Sequence, residues 1–287
     1  MKELTIISGK GGTGKTSIVG SFASLAQNFV LADADVDAAD LHLVIPPEIT
    51  KRNDFMGGHK AIIDPERCTQ CGECLERCQY DAIANFTIDT IACEGCGVCV
   101  HFCPSAAIDF PQRKCGEWFV SNTAFGPMVH ARLGIAEENS GLLVTTVRNA
   151  ARELAEKQNR DLVIADGPPG IGCPVIASIT GATSVLIVTE PTLSGMHDLK
   201  RVAKLANFLK VPGMLCINKF DLNTDMSEQL IATAKEYQLT PVGKVPYDPA
   251  VTQAMVAGKS PVDFSESAAT SAIRQVWQNV SNFLDSY

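Results

Sequence analysis

The sequence predicts an α/β fold, a mostly parallel sheet with helices on both faces, carrying a small inserted α+β domain. Three observations lead there. The apolar run Leu4-Thr5-Ile6-Ile7, a glycine-rich loop and a helical apolar pattern follow one another at the start of the chain. Later apolar runs end in aspartate or asparagine, as strands that deliver ligands at their carboxyl ends do. Eight of the 11 cysteines crowd between positions 68 and 103, in two sets of matching spacing.

Composition narrows the function classes. The chain has 287 residues, enough for one large domain or two modest ones. Its apolar share of 46% and charged share of 20% are those of an ordinary globular protein. A net charge of −8 argues against a general nucleic-acid binder, whose footprint is a basic stripe. Met1-Lys2-Glu3 leads straight into the first apolar run, unlike a secretion signal, and no apolar run has the length of a membrane span. The expected location is cytoplasmic, without stable membrane insertion. In a reducing compartment clustered cysteines point to metal rather than to disulfides.

The first loop is Gly9-Lys10-Gly11-Gly12-Thr13-Gly14-Lys15-Thr16, a G-x-x-x-x-G-K-[ST] match between a strand and a helix. Glycines let backbone N–H groups turn towards an anion, and the helix N-terminus adds partial positive charge. Gly11, Gly12, Thr13, Gly14, Lys15, Thr16 and Ser17 are the expected nucleotide-binding residues. Lys15 is placed to reach the β- and γ-phosphates, and Thr16 to put a hydroxyl on Mg²⁺. The next strand, Asn28 to Ala32, runs into Asp33, Asp35, Asp37 and Asp40. Carboxylates there can hold Mg²⁺ through water and orient an attacking water.

The early lysine makes the loop more specific. Lys-Gly-Gly-Thr-Gly-Lys-Thr resembles the deviant phosphate loop of the MinD/ParA/nitrogenase-iron-protein superfamily of ATPases. The resemblance implies that Lys10 crosses a dimer interface to nucleotide bound by the partner. It makes Lys10, Lys15 and Asp35 the catalytic set, although Val36 stands where many relatives have proline. Arg160 to Gly170 resembles the family's Walker B and second switch segment, with Asp166 joining Thr16 and Asp35 around Mg²⁺. Asn218 matches the family's adenine-recognising asparagine, and the backbone around Pro246 is expected to line the nucleotide. Asn218-Lys219-Phe220-Asp221 also satisfies the Asn-Lys-x-Asp pattern of guanine-binding proteins; the loop with Lys10 favours ATP.

Between Pro46-Pro47 and Gly57-Gly58 the chain reads as a polar connection. Beyond it stand Cys68-x2-Cys71-x2-Cys74-x3-Cys78 and Cys93-x2-Cys96-x2-Cys99-x3-Cys103-Pro104. The segment is an internal repeat with the spacing of a bacterial two-cluster ferredoxin, in which the fourth cysteine of each run ligates the other cluster. By that rule Cys68, Cys71, Cys74 and Cys103 hold one [4Fe–4S] cluster, and Cys93, Cys96, Cys99 and Cys78 the other. Cys78 is followed by Gln79 rather than proline. Zinc sites rarely need eight cysteines in doubled sets. His101 is expected to be a packing or surface residue rather than a ligand.

The α/β pattern resumes with strands at Glu117–Ser121 and Gly126–Leu133, a polar stretch from Gly134 to Gly141, and a helix through Lys157. Further strands are expected at Ser184–Thr189, Gly213–Asn218 and Thr240–Val245, with a helix from Gly195 to Leu209. Ser267 to Leu284 is amphipathic, with Ile273, Val276, Trp277, Val280, Phe283 and Leu284 on one face. Its polar face has few cations, so it is expected to pack on the sheet rather than bind a membrane. Cys173 is expected as a small buried residue at a helix start.

The resemblance covers nearly the whole chain. Residues 1–56 and 113–287 are expected to form the P-loop ATPase domain, and residues 57–112 the inserted two-cluster domain. The same composite layout is similar to orange-protein complex ATPases. It implies a slow ATPase with Mg²⁺, two [4Fe–4S] clusters and a dimer, homomeric or with a paralogue. The leading expectation is a dimeric switch that couples nucleotide state to electron transfer towards a partner protein. The alternatives are a metallocluster assembly or carrier ATPase, and a MinD/ParA-like positioning ATPase. The expected partner is a redox or metal-cluster protein, not nucleic acid.

Overall fold

The structure, a computed structural model, describes residues 1–134 and 141–287. The expected polar stretch after Gly134 therefore lies, apart from its two ends, outside the described residues. The chain divides into two compact units. The larger takes Met1–Arg52, Trp118–Arg132 and the C-terminal half to Tyr287; the smaller is built on Asn53–Glu117.

The strands of the main sheet are β1 (Lys2–Ser8), β2 (Phe29–Asp33), β3 (Glu48–His59), β4 (Gln112–Asn122), β5 (Pro127–Leu133), β6 (Leu162–Pro169), β7 (Ser184–Thr189), β8 (Gly213–Asn218) and β9 (Thr240–Val245). Their order across the sheet is β9-β8-β7-β1-β6-β2-β5-β4-β3. From β9 to β5 every pairing is parallel. Parallel strands need crossovers, and the crossovers put helices on both faces. The main helices are α1 (Lys15–Leu25), α2 (Leu142–Lys157), α3 (Cys173–Ile179), α4 (Leu193–Phe208), α5 (Thr224–Glu236) and α6 (Ala268–Leu284).

Alternate side chains of one strand serve opposite layers. Ile6, Leu186 and Val188 join the core beneath α1 and α6, while Ile7, Val185 and Ile187 join the core beneath α3, α4 and α5. The C-terminal helix packs as expected: Ile273, Val276, Val280 and Leu284 are buried, and the Trp277 ring lies 4.8 Å from Phe22. Asn279 Nδ2 donates to the Val242 carbonyl at 2.8 Å, tying the same helix to β9.

Two expectations need correction. The polar connection before Gly57-Gly58 is the strand β3, which pairs with β4 at the sheet's end. Its side chains are mostly exposed, so neither apolar alternation nor a continuous apolar run marks it in the sequence. Cys173 is exposed rather than buried. It opens α3 ahead of Pro174, and Val175, Ser178 and Ile179 occupy the buried face instead.

The smaller unit holds two short antiparallel pairs, Ile62–Ile63 with Ile108–Asp109 and Ile83–Ala84 with Thr87–Ile88. The first joins the start of the first half of the repeat to the end of the second, and the second joins the end of the first half to the start of the second. Its core is correspondingly slight: Ala61, Cys74 and Ile108, with partly buried neighbours such as Leu75, Ile83 and Phe110. A unit this small has little apolar surface to bury on its own.

Candidate nucleotide site and cysteine cavities

The phosphate loop joins β1 to α1. Gly14 caps the helix with φ +85°, and a Cβ there would stand 2.3 Å from Asn218 Nδ2. Only glycine meets both demands. Asn218 Nδ2 donates to the Thr13 carbonyl at 2.8 Å, and Asn218 Oδ1 accepts from the Lys219 N–H at 3.1 Å. Asn218, read in the sequence as the adenine contact, thus holds the end of β8 against the phosphate loop. Lys219, in a left-handed conformation with φ 55°, donates from Nζ to the Gly12 carbonyl at 3.4 Å. Asp221 Oδ1 accepts from the Tyr247 N–H at 2.7 Å, next to Pro246 at the end of β9.

Lys15, Thr16, Asp35 and Asp166 lie together at the start of α1. The Lys15 ammonium bonds Asp166 Oδ1 and lies 3.2 Å from Asp35 Oδ2. Thr16 Oγ1 donates to Asp166 Oδ2 at 3.2 Å. Asp33 and Asp166 are directly paired in register on β2 and β6, which puts a third carboxylate into the group. Three buried carboxylates then face one ammonium. Burial works against the Lys15 charge, and the Asp166 and Asp35 carboxylates outweigh it, so the Lys15 pKa rises. Burial, aided by Asp166, holds the Asp33 carboxyl far above the usual carboxylate range. Burial also pushes Asp35 up to about 6, against the pull of Lys15.

That surplus of acceptors fits Mg²⁺. Both Asp33 oxygens, Asp35 Oδ1 and Thr13 Oγ1 are buried without a hydrogen-bond partner. Among the described residues no three acidic, histidine or cysteine side chains converge closely enough to hold an ion by themselves. Mg²⁺ does not ask for that. It keeps several waters and takes one or two carboxylates plus phosphate oxygens.

Lys10 is placed differently. Its Nζ lies 3.4 Å from Glu190 Oε2 and donates to Ser194 Oγ at 3.3 Å. Glu190 Oε1 takes Lys219 as a second cation. One carboxylate therefore joins the loop after β7, the phosphate loop and the loop after β8. Sequence reading passed over Glu190; its only signal was its position directly after an apolar strand, in Thr189-Glu190-Pro191-Thr192.

The smaller unit gathers its cysteines around two cavities. One is lined by Cys68, Cys71, Cys74 and Cys103. The other is lined by Cys78, Cys93, Cys96 and Cys99. Burial raises the Cys74 thiol pKa, with the Cys68 and Cys71 sulfurs adding to it. Cys103 Sγ accepts the Ala107 N–H at 3.3 Å. Of the other cysteines, Cys115 is buried and donates to the Gly57 carbonyl at close range, and burial pushes the Cys216 thiol up to about 12. His101 stacks edge-on against Phe102 at 5.0 Å, outside both cavities.

No helix among the described residues is long and apolar enough to cross a membrane. Comparison with known proteins places the chain in a family. Residues 4–262 match the CobQ/CobB/MinD/ParA nucleotide binding domain. The chain is 32% identical to Uncharacterized protein MJ0578 of Methanocaldococcus jannaschii, over 98% of this chain and 97% of that one. It superposes on the cell division ATPase MinD of Pyrococcus furiosus with a TM-score of 0.59 at 18% identity, covering 98% of this chain and 99% of that one. The septum site-determining protein MinD of Pyrococcus horikoshii, complexed with Mg-ADP, gives 0.60 at 16% identity, covering 98% and 96%. At such identities the superpositions speak for the fold, a parallel sheet with helices on both faces. The phosphate loop with its buried Lys15–Asp35–Asp166 group, together with the match over residues 4–262, makes this chain a member of the CobQ/CobB/MinD/ParA family of P-loop ATPase domains.

Proposed function

We propose that the chain is an ATP-hydrolysing, dimer-forming switch that couples its nucleotide state to an iron–sulfur electron-transfer module acting on a partner protein. The nucleotide half of this reading rests on the site around Lys15. When nucleotide arrives, the γ-phosphate competes with Asp35 and Asp166 for the Lys15 ammonium. Mg²⁺ supplies Lewis-acid stabilisation of phosphate charge; Thr16, Asp35 and Asp166 would hold its hydrated shell. Asp35, freed of Lys15, orients the attacking water. Its carboxylate form is needed for that task.

The observation that carries the iron–sulfur half is the lining of the two cavities. Each is lined by three cysteines of one run and the fourth of the other. This grouping supports the reading, because in two-cluster ferredoxins the fourth cysteine of each run ligates the other cluster. A structural zinc site is usually closed by four ligands around one ion; two sets of four cysteines that exchange their fourth members fit the ferredoxin pattern better. The domain division we propose, residues 57–112 inserted between 1–56 and 113–287, follows the same two modules. A dimer, with Lys10 acting on the partner's nucleotide, is part of the proposal.

A positioning ATPase of MinD/ParA type is the second reading, favoured by the family match over residues 4–262. It has no use for the cysteine cavities. Anaerobic iron and sulfide analysis separates the two. The first reading expects about eight irons per chain, two cubanes' worth. An iron-free protein that still hydrolyses ATP would leave the second reading alone standing.

A further inference from the structure

The two cysteine runs share a spacing but are braced by different cations. Arg67 braces the Cys68 run. Its guanidinium donates to Asp64 Oδ2 at 2.6 Å, to Asp109 Oδ2 at 2.7 Å and to the Ala106 carbonyl at 2.9 Å. Two carboxylates flank that one cation, so it brings no net positive charge to its run.

Lys60 braces the Cys93 run. Its ammonium donates to the Thr90 carbonyl at 2.7 Å and, at close range, to the Cys93 carbonyl. Among the described residues it has no carboxylate partner. The neighbouring backbone fixes its place. The Lys60 N–H donates to the Pro111 carbonyl at 3.3 Å, and the His59 ring stacks on Phe110 at 4.9 Å. Gly95, with φ +65°, lies so close that a Cβ there would stand 2.1 Å from the His59 carbonyl oxygen. The segment His59–Lys60 is thus laid along the loop that carries Cys93 and Cys96.

Other charges face the same region. Glu94 lines this cavity, as Glu73 lines the other. Glu73 is paired with Arg77 at 2.9 Å. The Asp89 carboxylate accepts the Ile91 and Ala92 N–H groups. Arg77, next to Cys78 and 4.2 Å from the Phe102 ring, is the cation paired with Glu73, so Lys60 is a cation on the Cys93 side that keeps its charge unpaired by a carboxylate among the described residues.

We propose that Lys60 sets the electron affinity of one centre only, the one held by Cys78, Cys93, Cys96 and Cys99. This rests on the iron–sulfur reading and deepens it. Reduction adds one electron, supplied by an external one-electron donor, and makes the centre one unit more negative. A nearby ammonium with no carboxylate of its own favours that state. No proton moves. Removing the charge lowers the potential of that centre and leaves the other alone.

The test uses the full chain, reconstituted anaerobically, with Lys60→Met and Lys60→Arg variants. Iron content is measured first, and a redox titration with dithionite is followed by EPR. Cys96→Ser identifies which signal belongs to the Cys93 centre. The expected result is unchanged iron in both variants, a lower potential for that one signal in Lys60→Met, and restoration in Lys60→Arg. Potentials that stay put, or both fall together, overturn the proposal. So does loss of half the iron in Lys60→Met, which would make Lys60 a structural brace. Unmutated protein that takes up no iron overturns the iron–sulfur reading itself, before any variant is compared.

Discussion

Glu190 Oε2 lies 3.4 Å from Lys10 Nζ, and the other oxygen of the same carboxylate pairs with Lys219. The lysine expected to act across a dimer is thus held within its own chain. Two nucleotides brought face to face repel unless cations lie between them. Lys10→Ala should weaken nucleotide-dependent dimerisation without abolishing binding to the monomer. Glu190→Gln should free Lys10 and strengthen that dimer. Light scattering with non-hydrolysable ATP checks both, and one mass with and without nucleotide would count against the dimer.

Lys15→Ala should lose nucleotide affinity by roughly 10- to 100-fold, the scale of about 1.5–3 kcal/mol for bonds to charged groups. It also strands the buried Asp35 and Asp166 carboxylates, which are 10% and 2% exposed. Breaking a buried pair on one side typically costs about 3–5 kcal/mol. Thermal unfolding without nucleotide should therefore show a lower Tm for Lys15→Ala. Asp35→Ala should keep binding and lose turnover; equal hydrolysis by all three proteins would refute the site.

Hydrolysis should fail on the acid side. Burial raises the Asp35 pKa to about 6, and the working form is the carboxylate. As pH falls through about 6 the carboxylate is protonated and kcat/KM should drop, because this parameter reports groups of the free enzyme. The raised pKa also means that apo stability attributable to Asp35 falls as pH rises from about 4 to about 6. A kcat/KM that stays flat down to pH 5 would contradict the role of Asp35.

Cys173→Ser should leave iron content and the reduced-state EPR spectrum unchanged. Cys173 is exposed and lines neither cysteine cavity. Loss of a whole centre's iron in this variant would place a ligand outside the smaller unit.

Much of this architecture was legible because short local signals carried it. The apolar runs that became β1, β2, β6, β7 and β8 are buried on both faces, so the sequence spells them without a break. The strand β3 was not legible: only Phe55 and Gly57 of its 12 residues are buried. The site divided in the same way. Lys15, Thr16, Asp35 and Asp166 follow from motif spacing, and all four meet. Glu190, Arg67 and Lys60 act through partners far along the chain, such as Lys10, Asp109 and Cys93, and no local pattern announces such pairings. Asn218 was read only as a base contact, and the bond by which its amide ties β8 to Thr13 is a pairing across the chain that no motif announces.

The proposed function couples nucleotide state to an iron–sulfur module in the same chain. The most direct test is the EPR-monitored redox titration of the anaerobically reconstituted protein, with and without Mg²⁺ and non-hydrolysable ATP. The expected result is two [4Fe–4S] signals whose line shape or potential changes when nucleotide binds, and no such change in Lys15→Ala. Signals that are identical with and without bound nucleotide, or stoichiometric zinc in place of iron, would contradict it.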